Sequence, residues 1–135
     1  MNTAKQETSE RLRVLVCDDD GMIREALSEV LCEEPDFDVV GVAADTDEAI
    51  ALAALHRPAV AVVDVRMPGG GGARVAREIM RRSPGTRILT FSAYADLGAI
   101  DEMRDLGVTE YLLKGVPNTE IVAAVRRLGR SGVAR

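Results

Sequence analysis

VLVCDDDGMIREAL, residues 14–27, decides the fold. An apolar run ends in three consecutive carboxylates, Asp18, Asp19 and Asp20; beyond Gly21 the apolar residues return at helical spacing, with Ile23, Leu27, Val30 and Leu31 on one stripe. The stretch reads as a buried strand, a polar turn and a helix. The acidic row needs a reason, because two like charges about 4 Å apart repel by roughly 4 kcal/mol at an effective dielectric near 20. Solvent above a helix N-terminus, a bound cation, or protonation of one member would each relieve it.

The same unit recurs along the chain. Apolar runs LRVLVC (12–17), FDVVGVA (37–43), AVAVVD (59–64), TRILTF (86–91) and TEYLLK (109–114) alternate with the helical segments MIREALSEVL, DTDEAIALAAL, ARVAREIMRR, ADLGAIDEMRDL and NTEIVAAVRRL. Most of the runs are apolar on both faces, as strands covered on both sides by helices must be. Strict alternation then requires right-handed crossovers and predicts an α/β fold with a five-stranded parallel doubly wound sheet. Asp45 and Glu48 have the spacing of a capping box. The polar residues 1–10 read as a loose tail and residues 11–129 as one domain. Gly129 is read as a helix stop, which makes 130–135 a linker or tail.

Composition narrows the function. The 135 residues fit one domain, and 47% hydrophobic against 29% charged supplies a real core. Aromatic residues are only 3% and the net charge is −5, which argues against stacking on single strands and against duplex binding by this segment. The N-terminus carries no apolar run for a signal or anchor, so a cytoplasmic protein without a membrane partner is expected. Cys17 and Cys32 lack metal-ligand spacing and read as small buried hydrophobes. His56 reads as structural, and Arg81, Arg82, Arg126 and Arg127 as solvated partners of helix C-termini.

In parallel sheets of this kind ligands sit beyond the carboxyl ends of the strands. Those ends carry Asp18 to Asp20, Asp64, Ser92 and Lys114. Such a set can hold one hard cation through carboxylate oxygens while the lysine and hydroxyl grip a phosphoryl group. Asp64 would then be the nucleophile, with Asp19 directly, and Asp18 partly through water, holding Mg²⁺. Of two lysines in the chain against fifteen arginines, one stands at this strand end, where a compact ammonium fits better than a planar fork.

LVCDDD, VVDVRMPGGGG, LTFSAY and GVTEYLLK, taken together over residues 12 to about 128, resemble the receiver domain of two-component response regulators, within it the NarL/FixJ-like subgroup. The resemblance implies the flavodoxin-like (βα)5 fold. It makes Asp64 the phosphoacceptor, Asp18 and Asp19 the acidic pair for Mg²⁺, and Arg66 a further ligand through its backbone carbonyl. Ser92, Ala93 and Lys114 would meet the phosphoryl group, and Tyr111 would be the aromatic whose rotamer reports activation. Arg66 and Tyr94 would flank the phosphoryl group and tune its hydrolysis. The implied partners are a sensor histidine kinase or phosphotransfer protein, with a possible homodimer through helix 4, strand 5 and helix 5.

Two departures carry expectations of their own. Gly115 follows Lys114 where many receivers have a cis-linked proline, so a trans bond is expected there. Four glycines follow Asp64, at 69 to 72, and are expected to loosen that loop. Plainer roles stand beside these: Asp20 as a helix cap, Ser92 as a turn cap, Tyr111 as core. Two rival functions remain. One is a receiver-like interaction module that works without phosphorylation. The other is a haloacid dehalogenase-like phosphatase with Asp18 as nucleophile and Asp20 as acid/base; Glu120 is its only acid beyond Lys114, and Asp64 is left idle.

Overall fold

The computed structural model describes residues 11–93 and 97–133. Five strands, β1 (Leu12–Cys17), β2 (Phe37–Ala43), β3 (Val60–Asp64), β4 (Arg87–Ser92) and β5 (Tyr111–Leu113), alternate with α1 (Gly21–Cys32), α2 (Thr46–His56), α3 (Gly71–Arg82), α4 (Leu97–Asp105) and α5 (Asn118–Val133). All pairings are parallel and the order is β2-β1-β3-β4-β5, as the alternation predicts. Between Val14 and Leu15 the register against β2 slips by one residue, leaving Val40 without a partner opposite it.

The two faces of the sheet make two cores. Val14, Val16, Val60, Val62, Leu89 and Phe91 pack with Leu27 and Leu31 of α1 and with Ile121 and Val125 of α5. Leu15, Cys17, Ala61, Val63 and Ile88 pack with α2, α3 and α4. β3 is buried at all five positions, which explains its unbroken apolar run. Each fully buried valine or leucine contributes about 1.5–3 kcal/mol of apolar transfer, so the sheet interior dominates stability.

Caps follow the sequence closely. Asp20 is the N-cap of α1, accepting from the amides of Met22 and Ile23 at 3.0 and 3.3 Å. Asp45 caps α2 through the amide of Glu48 at 2.8 Å, and the Glu48 carboxylate reaches back to the amide of Ala44, one residue before the cap. His56 ends α2, and its carbonyl accepts from the Arg13 guanidinium.

Several expectations are corrected. Gly129 does not stop α5, which continues to Val133, so the helix takes up most of the proposed linker. An added Cβ at Gly129 would stand 2.7 Å from Leu12 Cδ1; the glycine lets α5 seat directly on the start of β1. Arg126 and Arg127 therefore lie inside the helix. Arg126 donates to both oxygens of Asp36 and to Glu34 at 2.8–2.9 Å and stacks 5.0 Å from the Phe37 ring centroid, clasping α5 to the start of β2. This contact holds the Asp36 carboxyl below its ordinary pKa. Cys32 is exposed, on the outer side of α1.

The Lys114–Gly115 bond is trans. The glycines after Asp64 answer a conformational need, since Gly69, Gly70 and Gly71 hold φ of +96, +123 and +78°, a region costly for any side chain. Gly72 lies so close to β3 that a Cβ would stand 2.9 Å from Val65 Cα. Amides of Gly71 and Gly72 donate to the carbonyls of Met67 and Val65 at 3.0 Å, so the loop is tied where looseness was expected.

Candidate functional site

The site forms where β1, β3, β4 and β5 end together. β1 delivers Asp18, 1% exposed, and beyond it Asp19, which faces solvent. β3 delivers Asp64, 4% exposed. Asp64 is in register with Phe91 of β4, so Ser92 stands one residue further along, also buried. Lys114 follows β5 directly, and its amide donates to the Ser92 carbonyl at 2.7 Å, which fixes where the lysine side chain starts.

Carboxylate oxygens of Asp18, Asp19 and Asp64 lie within 4.8 Å of one another. Oxygen ligands sharing one Mg²⁺ stand about 3 Å apart when adjacent and about 4 Å when opposed. An all-oxygen donor set of this span suits a small hard cation with slight closure. Asp18 is already engaged on both oxygens: Oδ1 accepts from the Asp20 amide at 2.9 Å, and Oδ2 is 2.8 Å from Lys114 Nζ. The same ammonium is 3.4 Å from Asp64 Oδ2, and Asp64 Oδ1 accepts from the Arg66 amide at 3.2 Å. Lys114 also lies 5.9 Å from the Phe91 ring centroid, within reach of its negative face.

These contacts set the protonation states. Burial, then the charge of Asp18, pushes the Asp64 carboxyl up to about 6, against the pull of the Arg66 amide and Lys114. Burial would lower the Lys114 ammonium, but its 2.8 Å contact with Asp18 and the charges of both acids outweigh that and raise it. The lysine thus serves as resident counter-ion to a crowded acid cluster. Burial drives the neighbouring Cys17 thiol strongly upward, which removes it as a nucleophile.

Of the residues singled out in the sequence, Asp18, Asp19, Asp64 and Lys114 come together. Ser92 borders them. Ala93 is exposed just beyond Ser92, and Arg66 is exposed in the loop after β3. Tyr111 pairs in register with Thr90 and is 38% exposed, so it is not core. Tyr94 lies outside the described residues. Two groups escaped the sequence reading. The Arg24 guanidinium holds the Asp18 carbonyl at 2.8 Å, and Arg74 donates to the Gly69 carbonyl at 2.8 Å. Both are helix-surface arginines with no pattern to mark them.

Residues 14–126 match the response regulator receiver domain. The chain belongs to that family. Among curated relatives of this receiver domain, DevR/DosR of Mycobacterium tuberculosis, a DNA-binding transcriptional activator, is 34% identical over 118 residues, which is 87% of this chain and 54% of that protein. The probable transcriptional regulatory protein NarL of the same species is 38% identical over 116 residues, 86% of this chain and 54% of that protein. The receiver thus spans about half the length of the curated relatives it matches. The solved receiver domain of the M. tuberculosis NarL superposes with a TM-score of 0.83 at 37% identity, covering 90% of this chain and 98% of that one. The domain is accordingly a NarL-like receiver. No described helix is long and apolar enough to cross a membrane.

Proposed function

We propose that this receiver accepts a phosphoryl group on Asp64 and uses the new charge to switch a binding surface. The observation that carries the reading is the convergence of Asp18, Asp19 and Asp64 within 4.8 Å, with the Lys114 ammonium 3.4 Å from Asp64 Oδ2. Mg²⁺, held by Asp18, Asp19, Asp64 and the Arg66 carbonyl, would supply charge neutralisation between the acceptor and the incoming phosphoryl oxygens. One Asp64 oxygen forms the new P–O bond as the P–N bond of a donor phosphohistidine breaks. The imidazole leaves with the electron pair and takes its proton from water. Lys114, already placed between Asp18 and Asp64, stays to pair with the phosphoryl charge, and Ser92 and Ala93 offer it a hydroxyl and a backbone amide.

The donor is a sensor histidine kinase or a phosphotransfer protein. Met22 is 82% exposed near the site, and a groove of about 290 Å³ between Ile23, Leu27, Val30, Phe91 and Val116 runs beside Lys114, giving such a partner an apolar seat. Phosphorylation then biases an equilibrium involving α4, β5 and Tyr111, with partner binding or a homodimer through α4, β5 and α5 as output. Leu97, Tyr111 and Leu113, exposed on that face, are the apolar residues such an interface would cover. Transcriptional output fits the named relatives, and a cytoplasmic location belongs to the same reading. Arg66 and Tyr94 are assigned to shielding the phosphoryl group from water.

The rival readings lose support in the structure. Asp20 is occupied in capping α1, which leaves it unsuited as the acid/base of a phosphatase. The tied glycine loop removes the main reason for a phosphorylation-independent module. Intact-protein mass after incubation with Mg²⁺ and a small acyl phosphate tests the proposal. A gain of one phosphoryl mass is expected, absent from Asp64→Asn; an adduct that survives in Asp64→Asn and disappears in Asp18→Asn would overturn it in favour of the phosphatase.

A further inference from the structure

We propose that Arg74 is a positioning residue for phosphoryl uptake, acting through the backbone of the glycine loop; the inference rests on Asp64 being the phosphoacceptor. The loop from Val65 to Gly70 carries Arg66, whose amide holds Asp64 Oδ1 and whose carbonyl is assigned to the proposed cation. With three successive glycines at positive φ, the loop depends for its stiffness on its ties, of which the Gly71 and Gly72 amides on the Met67 and Val65 carbonyls are the internal ones.

It is gripped from outside on two sides. On one, the Thr46 amide at the start of α2 donates to the Pro68 carbonyl at 3.0 Å, and the buried Thr46 side chain backs Gly69, where an added Cβ would meet Thr46 Cβ at 3.2 Å. On the other, Arg74 in the first turn of α3 folds back over the loop: Nη1 donates to the Gly69 carbonyl at 2.8 Å and sits 3.0 Å from Asp47 Oδ1 on α2.

Gly70 and Arg74 are matched. An added Cβ at Gly70 would stand 2.8 Å from Arg74 Cδ, so the missing side chain opens the path along which the arginine reaches Gly69. One guanidinium nitrogen therefore joins α3, the loop and α2. Arg74 and Asp47 side chains are 42% and 83% exposed, so the ion pair adds little to folding stability. The Gly69 bond instead limits how far the loop can carry Arg66 away from Asp64. Phosphoryl transfer depends chiefly on position, so releasing the loop should slow chemistry without unfolding the domain.

The test measures initial rates of mass gain with Mg²⁺ and a small acyl phosphate, over a range of donor concentrations, alongside melting temperature. The proteins are wild type, Arg74→Ala, Arg74→Lys and Asp47→Ala. The expected result is an Arg74→Ala protein about three- to tenfold slower at saturating donor, since one charged hydrogen bond is lost from a partly solvated site. Its melting temperature should stay within about 2 °C of wild type. Arg74→Lys, which keeps a donor for Gly69, should recover most of the rate, and Asp47→Ala should stay within about twofold of wild type. A labelled wild type with an unslowed Arg74→Ala would overturn this role alone. A slow Arg74→Ala that also melts early and is not rescued by lysine would reduce it to fold maintenance. A wild type that takes no phosphoryl group would overturn the phosphoacceptor reading and this role with it.

Discussion

Replacing Asp64 by asparagine should stabilise the cation-free protein at neutral pH. In the native state the Asp64 carboxyl is pushed from the ordinary 3.8 up to about 6, by burial first and then by the charge of Asp18. At about 1.4 kcal/mol per pKa unit, ionising it costs the fold at most about 3 kcal/mol at pH 7.5. Asparagine removes that cost, in which the attraction of Lys114 is already counted; taken as an upper bound it leads to an expected net gain of about 1–2 kcal/mol, or roughly 4–8 °C in melting temperature for a domain of this size. The pH dependence has a definite sign. Because the native pKa is raised, the native state binds more protons than the unfolded chain between about 4 and 6; this contribution is full below about 4 and is lost as pH rises through about 6. The gap between variant and wild type should therefore be wide at pH 7.5 and nearly closed at pH 3.5. Thermal melts in a chelating buffer at the two pH values measure it, and saturating Mg²⁺ should close the gap at pH 7.5. A variant no more stable than wild type at pH 7.5, or a gap that ignores pH, would refute the strained-carboxylate account.

Lys114→Met should destabilise the cation-free protein by about 2–4 kcal/mol in urea titrations, because Asp18 and Asp64 lose their shared counter-ion, and Mg²⁺ should return much of the loss. Gly129→Val should lower stability by about 1–3 kcal/mol, since Leu12 has no room for a Cβ on α5; Gly129→Ala should show a smaller fall in the same melts. Arg126→Ala should cost at most about 1 kcal/mol after allowance for solvent screening of its half-exposed partners. Asp36 has a depressed pKa, so that stabilisation is present above its unfolded value near 4 and should fade as pH falls below it, which a pH series of denaturant midpoints will show.

Much of this architecture could be read from the chain because its signals are local. Strand positions agree to within one or two residues, since a run buried on both faces needs no partner to be recognised. The convergence at the strand ends was legible for the same reason: once the sheet is parallel, Asp18, Asp64, Ser92 and Lys114 must share one edge. Most of the misreadings depend on what lies across a gap. Gly129 looks like a stop until Leu12 is seen beneath it, and Arg126 looks solvated until Asp36 and Glu34 are folded against it. Cys17 ends a strand covered on both faces, whereas Cys32 ends a helix on its exposed side. Glycines 69 to 71 read as slack because composition does not reveal positive φ, and Arg74 reads as surface because its target is a backbone carbonyl.

Lys114, held between two carboxylates, also makes the chain its own reporter. Apart from the α-amino terminus, only Lys5 and Lys114 carry primary amines. Amine-acylating reagents consume the neutral base, and the acids around Lys114 keep it protonated while its side chain is only 13% exposed. Peptide mapping after brief acylation therefore gives a footprint with one informative peak, scaled by Lys5. Any event that draws the ammonium away from Asp18, whether metal binding, phosphoryl capture or a docked protein, will register there without a tag or an engineered probe.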